Sequence, residues 1–210
     1  MKRTFITSTL ILILFVASAQ KPQIGILAGA TLSNFKDKPE SEELTADSKM
    51  GYTAGLIANF GVAEKFTLQS GLHFVQKGSK AKGSIGGSTV SGKLISNWLE
   101  VPLNFMYNTA NFFVGAGPSL SFGVGGKWEA EFLGEKESGK VHFGNTEDDN
   151  MKGFDFGLNI VAGYQFNNGL FVAANFNQGF SNLVPSDIGE GSMKSHYVGL
   201  RLGYLLKWEE

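Results

Sequence analysis

Few side chains in this 210-residue chain stand where they could do chemistry. Glu100, Asp155 and Arg201 are isolated charges inside otherwise uncharged alternating segments, and His73 sits in another. Such a set is either a proton or substrate relay or a self-neutralising carboxylate–guanidinium network, because buried charges must be paired. We read it as structural, with His73 as a hydrogen-bonded filler. Ser195-His196 puts a nucleophile beside a base near one end of the last strand, but adjacent strand residues point to opposite faces and cannot form a dyad. Glu147-Asp148-Asp149 lacks the oxygen-ligand spacing of a calcium loop and reads as a solvated acidic loop. Gly83, Gly86 and Gly87 are followed by no Lys-Ser/Thr and no helix, so they do not form a phosphate cradle. Without cysteine there is no thiol nucleophile, disulfide or Cys-ligated metal. No catalytic residue, metal site or cofactor is expected, and the chain is read as a non-enzyme.

Strands must position those residues. From Met50, the even positions Met50, Tyr52, Ala54, Leu56, Ala58, Phe60 and Val62 are apolar, while Gly51, Thr53, Gly55 and Asn59 oppose them. That period of two marks a strand with one apolar face. It recurs in Phe66–Lys77, Leu94–Tyr107, Phe112–Val124, Phe154–Phe166 and Ser195–Lys207, and more weakly in Ile24–Phe35 and Leu170–Phe180. Eight strands result. Short connections at Ala63–Lys65, Asn108–Asn111 and Asn167–Gly169 interleave with long polar ones at Lys36–Lys49, Gly78–Lys93, Gly125–Gly153 and Ser181–Lys194. Short turns at one end, long loops at the other and an even strand number fit an eight-stranded antiparallel transmembrane up-and-down β-barrel of the outer membrane. Pro102 removes a ladder donor, which predicts a bulge or kink. Lys127–Phe132 and Lys140–Phe143 also alternate. They predict a hairpin above the membrane whose edge a protein partner could join by β-augmentation.

Charge decides which face looks inward. The eight segments hold five charges in 101 residues (Lys77, Glu100, Asp155, Arg201 and Lys207), against thirty in the other ninety residues after Ala19. A water-facing strand surface would be laced with Lys and Glu, so the soluble lipocalin-like alternative is disfavoured. Here the polar face is Gly, Ser, Thr and Asn, suited to a packed, hydrogen-bonded lumen, and eight strands leave room only for side chains. Twelve residues at ~3.3 Å, tilted by ~40°, span about 30 Å vertically. Phe66, Tyr107, Phe112, Phe166 and Trp208 fall beside the short turns, where an aromatic girdle belongs. Glycine supports the all-β reading: 28 of 210 residues, roughly twice the usual ~7%.

Residues 1–19 read as an export signal. Lys2-Arg3 is a basic start, Leu10 to Val16 an apolar core and Ala17-Ser18-Ala19 a small-residue cleavage site, leaving residues 20–210 as one barrel domain. Eighteen basic residues against nineteen acidic give a net charge of -1, so nucleic acid is not an indicated partner. The expected partners are outer-membrane lipid, the barrel-assembly machinery during biogenesis, and an extracellular or protein partner at the long loops. A small-solute channel and a lipid-modifying enzyme are the rival functions.

Five motifs in order carry a family resemblance. Trp98-Leu99-Glu100-Val101-Pro102-Leu103, Gly115-Ala116-Gly117-Pro118, Asp155-Phe156-Gly157-Leu158, Gly179-Phe180-Ser181-Asn182-Leu183 and Gly199-Leu200-Arg201-Leu202-Gly203-Tyr204 resemble signatures of the PorT-like outer-membrane β-barrel family of Bacteroidetes. The resemblance covers the chain beyond the export signal and implies an outer-membrane barrel. One departure is the terminus, where Glu209-Glu210 follow Trp208 although many such barrels end on an aromatic.

Overall fold

The computed structural model describes residues 22–37, 44–85, 88–187 and 191–206; the expected export signal and Trp208 lie outside them. Nine strands are described: β1 (Gln23–Asp37), β2 (Leu44–Ala63), β3 (Phe66–Ile85), β4 (Ser88–Asn108), β5 (Phe112–Phe132), β6 (Glu135–Lys140), β7 (Phe154–Gln165), β8 (Leu170–Gly179) and β9 (Met193–Leu205). Sequential neighbours pair antiparallel except β6 and β7, β5 pairs instead with β7, and β9 pairs with β1, so eight strands close a ring. β6 lies on the outer half of β5 alone.

The expected short turns are where the sequence placed them, with Gly169 supplying a φ of 95° in the last. The long connections are less loop-like than expected. β3 and β4 run through most of Gly78–Lys93, pairing Lys80 with Lys93 and Lys82 with Ser91. β5 and β6 form a hairpin within Gly125–Gly153, although its returning strand is Glu135–Lys140 rather than a run to Phe143. The outer parts of β3 and β4, and all of β6, lack apolar alternation, yet their backbone groups still find ladder partners, which is what holds an extended chain. The ladder from β4 to β3 passes over Val101 and Pro102 without a change of register. The bulge instead lies on β5 at Val124, since Asn97 pairs with Gly125 and Trp98 with Gly123.

The two faces divide as the alternation requires. Along β7, Phe154, Phe156, Leu158 and Ile160 are exposed while Asp155, Asn159 and Val161 are buried. At the short-turn rim, aromatic rings meet: Phe66 with Tyr107 at 5.4 Å and Phe112 with Tyr164 at 4.9 Å. Inside, large side chains are accommodated by glycine on the facing strand. A Cβ on Gly203 would overlap the Phe171 ring, and one on Gly55 would come 2.7 Å from His73 Cδ2.

Candidate functional site

The lumen is stacked in tiers. Nearest the short turns, Leu27, Ile57, Met106, Phe171 and Leu205 form an apolar plug. Above it, amides run round the wall, each donating to the next. Asn175 donates to Asn159 at 3.2 Å, Asn159 to Asn104 at 3.0 Å, Asn104 to Gln69 at 3.5 Å and Gln69 to Asn59 at 3.0 Å. This open chain satisfies amides that would each be costly if left buried alone, although Asn175 Oδ1 at its start accepts no hydrogen bond.

The next tier holds the charges. Cross-strand register sets His73, Glu100, Ser121 and Asp155 in one row over β3, β4, β5 and β7, which is why residues so far apart in sequence share a level. Lys77 Nζ stands 3.8 Å from Glu100 Oε2 and 3.8 Å from Asp155 Oδ2, and all three side chains are 2% exposed or less. Hydroxyls complete the set. Lys77 donates to Ser195 Oγ at 3.4 Å, and Ser195 donates to Asp155 Oδ2 at 2.6 Å. Ser121 donates to Glu100 Oε2 at 3.2 Å. Tyr197 donates to Glu100 Oε1 at 2.5 Å and accepts from Arg201 Nη2 at 3.1 Å. Two cations thus offset two carboxylates. The Lys77 ammonium also lies 5.2 Å from the Trp98 ring centre and 5.5 Å from that of Tyr197, an arrangement that favours a desolvated cation.

The site residues named from sequence therefore share a lumen, but not with the contacts expected. Arg201 reaches Glu100 through the Tyr197 hydroxyl, and the cation standing between the two carboxylates is Lys77. His73 is buried, yet neither ring nitrogen has a hydrogen-bond partner, against the expectation of a hydrogen-bonded filler. It is held by packing between Gly55 and Gly71. Ser195 turns inward into this network, whereas His196 is only half-buried.

A cap closes the tier from the long-loop end. Val141, Met151 and Leu183 come in from connecting segments to join Phe35 and Trp98 as a buried apolar cluster, and the Phe143 ring meets Trp98 edge-on at 5.2 Å. The acidic run lies outside this cap. Asp149 accepts from the Thr146 hydroxyl at 2.7 Å and from its N–H at 2.9 Å. Those bonds hold its carboxyl below the ordinary aspartate value. Among the described residues no group of His, Asp and Glu is arranged to hold a metal ion.

No curated protein matches the sequence. Among solved structures, the attachment invasion locus protein Ail of Yersinia pestis is similar at 15% identity, covering 89% of this chain and all of that one, with a TM-score of 0.46. Neisserial surface protein A is similar at 10% identity over 87% of this chain and 97% of that one, TM-score 0.45. The outer membrane protease OmpT of Escherichia coli is similar at 10% identity over 90% and 100%, TM-score 0.44. The family model described as outer membrane protein beta-barrel domain matches residues 18–184. With the closed antiparallel ring and its outward apolar face already established, this chain belongs to the outer membrane protein beta-barrel domain family.

Proposed function

We propose that this protein is a non-enzymatic outer-membrane barrel with a closed lumen, acting in envelope structure and surface interaction through its projecting hairpins. The observation that carries the reading is the buried tier around Lys77, where Lys77, Glu100, Asp155 and Arg201 are each met by another side chain of the same tier. Catalytic groups are ordinarily kept open to substrate and left to be completed by it; this tier lies beneath an apolar cap. The projecting β5–β6 hairpin supports the surface role, because the outer edge of β6 has no ladder partner among the described residues and suits β-augmentation. Within the family, the five motifs favour the PorT-like branch, and residues 1–19 favour export through the periplasm.

The test is electrical and chemical. In planar bilayers the folded full chain should give no discrete conductance steps, and lipid A mass spectra should be identical with and without the gene. Steady steps would favour the channel, and an altered lipid A the enzyme. Removing residues 133–140 should leave heat-modifiable gel migration intact while reducing attachment of producing cells to surfaces or to one another. Unaltered attachment would overturn the hairpin's role.

A further inference from the structure

On the outward face of β2 to β6 the lipid-facing surface ends abruptly in lysine. Tyr52 and Phe74 stack at 5.7 Å, with Phe122 and Val124 exposed on β5. One step farther from the short turns, Gln76 donates to Asn97 at 3.2 Å, an amide sill across β3 and β4. Immediately beyond it Lys80 and Lys93 stand directly opposite one another, and so do Lys127 and Lys140. Lys49 joins from β2, donating to Gln76 Oε1 at 3.3 Å. Burial first, then the charges of Lys93, Lys80 and Lys127, hold its ammonium below the ordinary lysine value.

Like charges placed directly across a ladder destabilise it, and two such pairs lie side by side here. Glu129 answers part of the charge, meeting Lys127 Nζ at 2.7 Å and Lys93 Nζ at 3.1 Å. Asp47 lies across the ladder from Lys80. Five lysines therefore face two carboxylates. Farther out, Glu131 is engaged by Lys136 at 3.7 Å.

We propose that this cluster binds the phosphate of a phosphorylated glycolipid in the outer leaflet, whose acyl chains lie against Tyr52, Phe74 and Phe122. Charge complementarity selects a multiply charged anion, for which lysine is a compact point donor. Continuity with the lipid-facing wall selects a lipid over a soluble anion, because the apolar surface begins directly beneath the sill. The assignment is independent of what the hairpin edges bind.

The test uses the full chain folded into phosphatidylcholine vesicles containing bisphosphorylated lipid A or the same lipid dephosphorylated, read by native mass spectrometry after extraction. The wild type should retain the bisphosphorylated form at least about tenfold better. K80Q/K140Q should abolish that preference while K136Q keeps it. Glu129→Gln, by removing a competing carboxylate, should raise retention, a gain that misfolding cannot imitate. Equal retention of both lipids, indifference to K80Q/K140Q, or displacement by millimolar inorganic phosphate would overturn the proposal, the last by assigning the cluster to a free anion.

Discussion

Tyr197 donates its phenolic proton to Glu100 across the full width of the lumen. Their strands, β9 and β4, stand four places apart in either direction round the ring. One hydrogen bond therefore ties opposite walls together, and it does so in the tier where Lys77, Asp155 and Arg201 are also buried.

Removing a member of that tier leaves its partner charged and dry. Glu100→Ala should lower stability by about 3–5 kcal/mol, the usual cost of breaking a buried pair from one side. Arg201→Ala should act in the same direction by stripping Tyr197 of its donor. Lys136→Ala, at an exposed pair, should change stability by less than about 1 kcal/mol. The temperature at which gel migration shifts measures all three, and an unchanged transition for Glu100→Ala would count against the network.

The outward face makes a separate prediction. Leu200 and Leu202 are 63% and 58% exposed on β9, an exposure that only a lipid surround makes favourable for side chains this large. Leu200→Lys should cost roughly 2–4 kcal/mol if it lies near the bilayer midplane. Urea titration in vesicles reads the difference, and a cost near zero would deny contact with acyl chains.

The cap can be loosened from the wall. A methyl group at Gly123 would occupy the space of the Phe143 ring. Gly123→Ala should therefore push Phe143 off Trp98, red-shifting indole emission without unfolding the ring. Phe143→Ala should give the same shift by deletion, and Gly123→Ala added to it should then have no further effect.

Acid should loosen the 145–150 turn on a schedule set by Asp149. Its carboxyl is held below the ordinary value by the Thr146 hydroxyl first and the Thr146 amide second. A depressed value means the turn is favoured at pH above the free aspartate range and is lost as pH falls through the lowered one. The Thr146 amide resonance should titrate at a pH below that of a free aspartate, and Thr146→Val should move the midpoint upward.

Much of this was legible in advance. Period-two alternation placed Glu100, Asp155 and Arg201 on the inward phase because strand geometry leaves only two choices. Lys77 shares that phase with His73 and counts among the strand charges, but at the end of its segment nothing local marks it as the cation that stands between the two carboxylates. Tyr197 carries no charge to attract notice, so the link between Arg201 and Glu100 was invisible. β6 has no apolar residue at all, and only its pairing to Lys127–Phe132 makes it a strand. The cap is the least legible part. Val141, Met151 and Leu183 come from two connections, and nothing local marks them as meeting.

The last strand delivers Ser195, Tyr197 and Arg201 together, and it is also the strand that seals β1 to β8. Until it docks, Lys77 alone faces two carboxylates, so an unfinished sheet carries a surplus negative charge at its heart. Electroneutrality and closure arrive in the same event. A polypeptide truncated before Met193 would lack at once the strand that seals the ring and the second cation of its interior.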